Sequence, residues 1–381
     1  MNRPVVKNSA DIAQLRLVFL SDAIQNRNGV GTYYHDLVAH LKDHLQRVEL
    51  LCPGANSKVR YQGPALPLPG DPTQKVYLPH PRRIAKKIRK LAPHIIIAPT
   101  PGPFGLLGFL LAKRMRIPLC VGYHTQYETL ADLYWTHVIG QWTSKSLVWL
   151  EGCFFRAGSV VVTNSDAMAS HAKKSGAPDV QMVGTPIAKH FLTTPVIPLS
   201  PQIRSVLYAG RLAPEKNIRA VIEAAKSLPQ IQFVIAGDGP LRDLVQTRSG
   251  LQANLDYRGW ISRHELMQVM DRSDLLVLPS KVEAFGTIAL EAMARRKMVL
   301  VSPNCGILNW QSLARGLFRI QRDENLAEAI QRIEKLDFQQ RNETAATAQY
   351  SAIALNAKTV DDWLAIFRCL MQQSFDNLRT N

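Results

Sequence analysis

Short apolar runs alternate along this chain with longer stretches whose apolar residues recur at helical spacing. Uniformly apolar runs of this length are typical of parallel strands buried on both faces. The predicted strands are residues 15–20, 48–51, 94–98, 118–123, 159–163 and 180–183, then 205–209, 232–236, 255–258, 275–278 and 298–302. Two successive β–α–β series predict an α/β protein with two Rossmann-like parallel-sheet domains that face each other across a cleft.

A change in composition suggests the domain limits. Residues 191–201 contain three prolines, several Ser and Thr and no charged residue, which is typical of a linker. We therefore predict an N-terminal domain at 1–195 and a C-terminal domain at 196–350. Residues 351–381 are predicted to form C-terminal helices that pack back on the first domain. The proline-rich residues 64–81 are predicted to be irregular.

The strand at residues 275–278 leads into a loop and a helix that carry two carboxylates. Glu283 lies in the loop, and Glu291 lies about one turn into the helix that opens at Gly286. Such a turn directs free backbone N–H groups and the positive end of a helix dipole towards the C-terminal edge of the sheet, where anions bind. Taken alone, the acids are either helix-start acids and caps or hydroxyl-binding groups beside a phosphate site.

Neighbouring strand ends in the second half favour the second interpretation. Arg211 and Lys216 follow the strand at 205–209, while Gly237 and Trp260 follow the next two strands. Because parallel strands end at the same edge of a sheet, these residues should lie close together. Two cations beside backbone N–H groups suit a diphosphate, and the two carboxylates suit a sugar and a ribose. This layout predicts a nucleotide-sugar site.

The first half contains two further candidates. Gly29-Val30-Gly31 precedes a predicted helix at 32–45, as a phosphate-binding loop does, although Tyr34 stands where the dinucleotide motif has its third glycine. The same glycines also suit a tight turn that needs positive φ. His124 directly follows the strand at 118–123, where α/β active sites lie, but a lone histidine is also commonly structural.

Positive charge is concentrated in the first half of the chain. The net charge is +16, and residues 1–195, with 23 basic and 11 acidic residues, carry +12 of it. Residues 72–127 contain no acid, and Pro81–Leu91 predicts a basic amphipathic helix that either lies on anionic lipid or docks on the sheet. Trp135, Trp142 and Trp149 recur every seven residues, which favours core or acceptor-groove lining over a membrane-interface face.

Other sequence features concern the cellular setting. Five scattered cysteines without a C-x-x-C pair indicate neither a zinc site nor a disulfide framework, so we predict a reduced intracellular protein. The N-terminus has no apolar core of signal-peptide length, and no stretch reaches the roughly 20 apolar residues of a membrane span. We expect a cytoplasmic protein that is peripheral on the inner face of the cell membrane.

The motifs together resemble a known family, the retaining glycosyltransferases of family 4 with the GT-B fold. In the second half the resemblance rests on G-R-L-A-P-E-K-N at 210–217, A-G-D-G-P at 236–240 and the E-x7-E pair Glu283/Glu291. In the first half it rests on N-G-V-G at 28–31, T-P-G-P-F-G at 100–105 and I-P-L-C-V-G-Y-H-T at 117–125, which look like the glycolipid-forming branch.

The resemblance implies that the N-terminal domain binds the acceptor and that the C-terminal domain binds the nucleotide-sugar. It also implies roles for individual residues. Arg211 and Lys216 would bind the donor diphosphate and stabilise the leaving group, Glu283 would hold the sugar hydroxyls, and His124 would face the sugar near the acceptor. The implied catalytic residues are Glu283, Arg211, Lys216 and His124. The implied substrate-binding residues are Gly29, Gly31, Glu291, Phe285, Gly286, Thr287, Gly237 and Trp260.

The resemblance also implies the reaction. We expect a retaining, metal-independent hexosyltransferase that uses a nucleotide-diphosphate sugar, with UDP favoured over GDP, and no further cofactor. The expected acceptor is a lipid or a glycan, the expected surface is an anionic membrane, and nucleic acid is not an expected partner. The alternatives are a nucleotide-sugar epimerase of the same fold and a non-catalytic nucleotide- or nucleic-acid-binding protein. The chain departs from the family pattern at Arg295-Arg296-Lys297 and at residues 303–307.

Overall fold

A computed structural model describes residues 12–24, 29–54, 61–68, 71–124 and 149–379. The chain divides into two compact units, the first formed by residues 1–186 with 357–381 and the second by residues 187–356. The sequence analysis predicted that the chain passes from the first domain into the second after residue 195, and that it leaves the second domain after residue 350.

The first unit contains a six-stranded parallel sheet. Its order is β2-β1-β5-β6-β7-β8, with β1 Arg16–Leu20, β2 Arg47–Leu51, β5 Ile95–Ala98, β6 Leu119–Tyr123, β7 Val160–Thr163 and β8 Val180–Met182. The central strands β5, β6 and β7 are buried along their whole length, which explains why they are uniformly apolar. The strand order reverses between β1 and β5, so their C-terminal ends form a switch point of the kind at which α/β proteins bind ligands.

Helices cover both faces of this sheet. They are α1 Gly29–Leu41, α2 Pro81–Leu91, α3 Pro103–Met115, α4 at residues 149–157 and α5 Asp166–Lys174. Helix α1 begins at Gly29 rather than at Thr32, so Gly31 lies inside its first turn. The interpretation of this glycine pair as a left-handed turn is therefore wrong for Gly31. The first turn of a helix is where backbone N–H groups lack intrahelical partners.

The prediction of irregular structure at residues 64–81 is wrong. Most of the segment belongs to an antiparallel hairpin of β3 Gln62–Leu68 and β4 Asp71–Pro79, and its last residue is the first residue of α2. Four prolines stand in these two strands, and their missing N–H groups are tolerated because a two-stranded hairpin consists only of edge strands.

The second unit repeats the plan with another six-stranded parallel sheet, of order β11-β10-β9-β12-β13-β14. Its strands are β9 Ser205–Ala209, β10 Gln232–Ala236, β11 Leu255–Gly259, β12 Leu275–Leu278, β13 Met298–Val301 and β14 Phe318–Arg319. Its helices are α6 Lys189–Thr193, α7 Ile218–Ser227, α8 Arg242–Leu251, α9 Arg263–Arg272, α10 Thr287–Ala294, α11 Gln311–Ala314 and α12 Leu326–Glu334. The switch point lies between β9 and β12.

One long helix, α13 Phe338–Arg379, runs from the second unit into the first. The predicted C-terminal helix at residues 351–370 is a part of it. Within the described residues, no helix combines the length and apolar character that crossing a bilayer requires. Trp135 and Trp142 lie outside the described residues, and Trp149 is an exposed residue of α4.

Candidate functional site

The switch point of the second unit brings together two cations and two carboxylates. Arg211 follows β9, and a 3-10 turn at Pro214–Lys216 carries Glu215 and Lys216. Arg211 Nη1 lies 3.3 Å from Glu215 Oε1, and Lys216 Nζ lies 2.7 Å from Glu283 Oε2. All four side chains are partly exposed, so the charges are accessible to a ligand from solvent.

The loop that carries Glu283 is held in place through its backbone. The Lys281 N–H donates to the Glu215 carbonyl over 2.8 Å, and the Gly306 N–H donates to the Glu283 carbonyl over 2.9 Å. A Cβ on Gly306 would lie 1.9 Å from the Ala284 carbonyl oxygen, so only glycine fits here. The departure from the family pattern at residues 303–307 therefore keeps the glycine that this close backbone approach requires.

Helix α10 begins beside these charges. Gly286, its N-cap, has a φ of +97°, a conformation that glycine adopts at little cost. Phe285 is buried, and Thr287 is the first helical residue. The N–H groups of the first turn have no intrahelical acceptor and lie at the positive end of the helix dipole. Three of the implied substrate-binding residues, Phe285, Gly286 and Thr287, thus lie at a helix N-terminus, next to the loop of Glu283.

Glu291 is buried inside α10 and forms an ion pair that the sequence analysis missed. Arg263 Nη2, at the start of α9, lies 2.5 Å from Glu291 Oε1. The same guanidinium stacks over the Phe191 ring, with 5.5 Å between Cζ and the ring centroid. The interpretation of Glu291 as a helix-start acid is wrong, because its carboxylate is buried against a cation from another element.

Glycines shape the next strand end along the sheet. Gly237 follows β10, and a Cβ there would lie 1.8 Å from the Gly210 carbonyl oxygen. The loop after β10 and the loop of Arg211 therefore pack backbone against backbone. Trp260 follows β11 and is exposed. The predicted contributions of Gly237 and Trp260 to ligand binding stay predictions, as do those of Gly29 and Gly31.

Two site residues, Glu215 and Tyr208, were not predicted from the sequence. The Tyr208 hydroxyl donates to the Arg211 carbonyl over 2.9 Å. Burial, followed by the negative charges of Glu283 and Glu215, raises the pKa of this phenol, which therefore stays a hydrogen-bond donor. The sequence could have indicated Glu215, because this residue lies four positions after Arg211 and directly before Lys216. Tyr208 lies inside an apolar strand and gave no signal.

In the first unit, His124 lies in a cluster of aromatic side chains. Its Nε2 is 2.8 Å from the hydroxyl of Tyr34, and its ring lies 4.4 Å, centroid to centroid, from that of Tyr33. Burial lowers the pKa of His124 to about 3, so the imidazole is neutral at physiological pH. His124 is thus placed at the end of β6 as expected, in a neutral state that the sequence did not predict.

The switch point of the first unit is occupied by a carboxylate that the sequence analysis also missed. Asp22 accepts hydrogen bonds from the N–H groups of Phe104 and Gly105, over 2.6 and 3.1 Å, and from the Thr100 hydroxyl over 2.7 Å. Burial raises the pKa of Asp22 despite these hydrogen bonds. The T-P-G-P-F-G segment therefore binds an internal anion at the N-terminus of α3.

The departure at Arg295-Arg296-Lys297 has a structural explanation. Arg295 is completely buried and forms a two-pronged ion pair with Asp271, with both N–O distances 2.8 Å. Its guanidinium also donates to the carbonyls of Phe191, Thr194 and Pro195. Arg295 therefore anchors the segment after α6 and does not belong to the charged cluster around Lys216.

Comparison with known proteins places both halves in one class. Residues 27–188 match the family described as Glycosyltransferase Family 4, and residues 197–351 match Glycosyl transferases group 1. The chain is 24% identical over 238 residues to sulfoquinovosyl transferase SQD2 of Arabidopsis thaliana, covering 59% of this chain and 46% of that protein. It is 37% identical over 110 residues to alpha-D-kanosaminyltransferase of Streptomyces kanamyceticus, covering 27% of this chain and 28% of that protein. The chain thus spans less than half the length of these curated relatives.

Solved structures show the same fold. Sucrose-phosphate synthase from Thermosynechococcus elongatus superimposes with a TM-score of 0.69 at 18% identity, over 95% of this chain and all of that one. HepE of Anabaena, solved with UDP and glucose, gives a TM-score of 0.63 at 18% identity, over 92% of this chain and 99% of that one. WaaG, a glycosyltransferase involved in lipopolysaccharide biosynthesis, gives 0.61 at 14% identity, over 92% and 99% of the two chains.

Proposed function

The chain belongs to the glycosyltransferases of GT-B fold, and we propose that it transfers a hexose with retention from a nucleotide-diphosphate sugar to a membrane lipid. One observation carries the proposal. Arg211, Lys216 and the N-terminus of α10 converge with Glu283 at one switch point of the second unit. Positive groups for a diphosphate then lie beside a carboxylate for sugar hydroxyls.

The charges of this cluster suit departure of a diphosphate. In the proposed reaction the bond between the sugar C1 and the diphosphate oxygen breaks, and its electron pair remains on that oxygen. The acceptor hydroxyl oxygen bonds to C1 on the same face, and its proton passes to the departing phosphate. Arg211 and Lys216 stabilise the charge that develops on the leaving group, the type of electrostatic stabilisation that contributes most in many enzymes.

The donor is proposed to be a UDP-sugar. The support comes from HepE, which has the same fold and was solved with UDP and with UDP-glucose. Glu291, paired with Arg263, would accept from the ribose hydroxyls, and the α10 N–H groups would donate to phosphate oxygens. We propose that the reaction needs no metal ion and no cofactor beyond the co-substrate. Among the described side chains, no group of three or more His, Cys, Asp or Glu residues is arranged to hold a metal.

The sequence analysis left open whether α2 lies on anionic lipid or docks on the sheet, and the structure shows that its apolar face docks on the sheet. Its apolar face, formed by Ile84, Ile88 and Leu91, is buried in the core of the first unit, so it cannot insert into lipid. Lys87 is also engaged, since its Nζ lies 2.9 Å from Glu49 Oε1. The remaining basic residues of α2 are exposed, namely Arg82, Arg83, Lys86, Arg89 and Lys90. The helix can therefore attract an anionic surface only through charge.

Apolar residues for such a surface come from the hairpin β3–β4. Leu66 and Leu78 are exposed, and the ladder, which pairs Leu66 with Val76, places them on one face of the hairpin. Tyr77, which alternates with them, packs against the core, so this face is turned away from the core. Exposed leucines and cations in the same unit support peripheral binding at the inner face of the cell membrane.

Transfer is tested by incubating the protein with UDP-hexoses and either diacylglycerol or phosphatidylinositol vesicles. We expect release of UDP together with a new glycolipid of retained anomeric configuration. Lys216→Met should lower kcat/KM by about a hundredfold or more, because it removes a cation that stabilises the leaving group. A changed sugar without an acceptor product would identify an epimerase, and unaltered turnover in Lys216→Met would contradict the assigned site.

Membrane binding is tested separately by sedimentation with anionic and neutral vesicles. The variant Arg82→Gln/Arg83→Gln/Lys86→Gln should lose binding to anionic vesicles, since each cation near the surface contributes about 1 kcal/mol. A matched control, Arg219→Gln/Lys226→Gln/Arg248→Gln, removes the same charge from exposed positions of the second unit and should bind normally. Equal binding by both variants would contradict the assigned surface.

A further inference from the structure

Tyr208 carries a buried hydroxyl that its ring does not need for packing. The ring lies in a cluster of buried hydrophobic side chains, on the same face of β9 as Val206. A phenylalanine of nearly the same volume would fill this space. The hydroxyl donates to the Arg211 carbonyl over 2.9 Å, so this hydrogen bond is what the hydroxyl adds to the fold.

The peptide group between Arg211 and Leu212 is held at both of its ends. Its carbonyl accepts from the Tyr208 hydroxyl, and its N–H, that of Leu212, donates to the Asp238 carbonyl over 3.0 Å. Because a peptide group is planar, two hydrogen bonds at its opposite ends fix its orientation. A second donor to the same carbonyl, the Ala213 N–H at 3.1 Å, belongs to the loop itself and moves with it.

The orientation of this peptide group determines where the Arg211 side chain begins. A rotation about the bonds next to the peptide group would move the Arg211 Cβ, and the displacement would grow along the side chain to the guanidinium. The hydroxyl lies close to the charged cluster as well, since burial and then the charges of Glu283 and Glu215 raise the pKa of the Tyr208 phenol. Tyr208 therefore connects the core of the second unit with the backbone of one cation of the site.

We propose that Tyr208 is a positioning residue, whose hydrogen bond to the Arg211 carbonyl holds the guanidinium where it binds the donor diphosphate. The ligand part of this inference rests on the proposed function. Tyr208 is completely buried, so it acts only through Arg211 and touches no ligand itself. A cation that is already in place when the ligand arrives loses less conformational freedom on binding, which raises affinity.

The role is tested on the full chain by calorimetric titration of Tyr208→Phe with UDP. We expect the Kd for UDP to rise about fivefold, the factor that about one hydrogen bond contributes. In the Arg211→Ala background, Tyr208→Phe should change this Kd by less than about twofold, because the residue through which Tyr208 acts is missing. The same effect in both backgrounds, or none in either, would overturn the role of Tyr208.

Tyr33→Phe is the matched control for this comparison. Its hydroxyl is also a buried phenol that donates to a backbone carbonyl, that of Gly184 over 3.0 Å, but it belongs to the first unit. Any effect of Tyr33→Phe on the Kd for UDP should be the same with and without Arg211. If Tyr33→Phe and Tyr208→Phe depended equally on Arg211, the coupling would not be specific to Tyr208 and the proposed role would be wrong.

The positioning is also tested on the ligand-free protein, by NMR of 15N-labelled arginine side chains. Arg211→Lys identifies the Arg211 signal. We expect Tyr208→Phe to shift the Nε signal of Arg211 and Tyr33→Phe to leave it in place. An unshifted Arg211 signal in Tyr208→Phe would contradict the positioning of this side chain.

The outcomes separate this inference from the proposed function. If transfer is observed but the effect of Tyr208→Phe on UDP binding does not depend on Arg211, the role of Tyr208 is wrong and the glycosyltransferase assignment stands. If the wild type binds no UDP while the Arg211 signal depends on Tyr208, the proposed function is wrong together with the ligand contact. The NMR result would then still support the positioning of Arg211 by Tyr208.

Discussion

Lys216 Nζ lies 2.7 Å from Glu283 Oε2, so a cation proposed to bind phosphate is paired with the carboxylate proposed to bind sugar. Arg211 and Glu215 form a second pair beside them, at 3.3 Å. Two positive and two negative charges therefore balance before a ligand arrives. A diphosphate has to compete with both carboxylates for the cations, and this competition leads to the first prediction.

Glu283→Gln should separate nucleotide binding from sugar transfer. Removing the carboxylate leaves Lys216 without this partner, so the affinity for UDP should rise up to about fivefold, in line with roughly 1 kcal/mol for a partly exposed pair. The transfer rate should fall by about a hundredfold, because the proposed sugar contact is lost. Calorimetric titration with UDP and measurement of kcat check the two effects.

Glu215→Gln is the matched control for this prediction. It removes the same charge from the same cluster, next to Arg211, but removes no proposed sugar contact. We expect a similar gain in UDP affinity and a loss of less than about tenfold in kcat. A fall in UDP affinity in Glu283→Gln, or equal losses of kcat in the two variants, would contradict the assigned division of roles.

Buried His124 should make the folded protein less stable as the pH falls. Burial lowers its pKa to about 3 in the folded state, whereas an unfolded histidine has a pKa of about 6.5. Between these values the unfolded chain binds a proton that the folded chain does not, so stability decreases as the pH falls through this range. The contribution lost between pH 7 and pH 5 is about 2 kcal/mol.

Urea unfolding of the wild type and of His124→Asn at pH 7 and pH 5 measures this effect. The difference in unfolding free energy between the two pH values should be about 2 kcal/mol smaller in His124→Asn, because asparagine does not titrate. Titration of every other group cancels to first order in this comparison. The same pH dependence in both proteins would show that His124 is not buried as a neutral group.

Parts of the fold and the site were predictable because they depend on local signals. The strand β12, the loop of Glu283 and the helix that opens at Gly286 are contiguous in sequence, so one apolar run and one glycine predict their geometry. Arg211 and Lys216 were predictable because parallel strands end at the same edge of a sheet.

Other parts depend on pairings between residues distant in sequence. The hairpin β3–β4 was missed because its prolines are typical of loops, and only the partner strand satisfies its backbone. Asp22 accepts a hydrogen bond from the N–H of Phe104, which lies 82 residues later in the chain, so no local pattern connects the two residues. The direction of the apolar face of α2 is likewise fixed by the core beneath it and not by the helical periodicity.

Arg296 provides a prediction about backbone strain. It follows the C-cap of α10 with a φ of +56°, a left-handed conformation that costs about 1 kcal/mol in residues other than glycine. Arg296→Gly should therefore be about 1 kcal/mol more stable than Arg296→Ala in urea unfolding. Both variants lose the 3.1 Å hydrogen bond from Arg296 Nη2 to Asn342 Oδ1, so the comparison isolates the backbone. Equal stability of the two would show that the left-handed conformation is not strained.

Arg295 and Asp271 provide a prediction about the buried charges of the second unit. The pair has no access to solvent on the arginine side, and the guanidinium also satisfies three carbonyl groups of residues 191–195. Arg295→Met leaves the Asp271 carboxylate without this partner and the three carbonyls without this donor. Breaking a buried pair on one side costs about 3–5 kcal/mol, so we expect a loss of this size in the unfolding free energy.

The neighbouring Arg272→Met is the matched control for this substitution. Arg272 is exposed and directly follows Asp271 in sequence. Arg272→Met is therefore the same substitution as Arg295→Met, made at an exposed position beside the same aspartate. Surface substitutions of this kind usually change stability by less than about 0.5 kcal/mol. If Arg295→Met is too unstable to purify, Arg295→Lys replaces it, because an ammonium keeps the charge but cannot form the two-pronged contact. Losses of equal size in the Arg295 and Arg272 variants would mean that the buried pair does not hold residues 191–195.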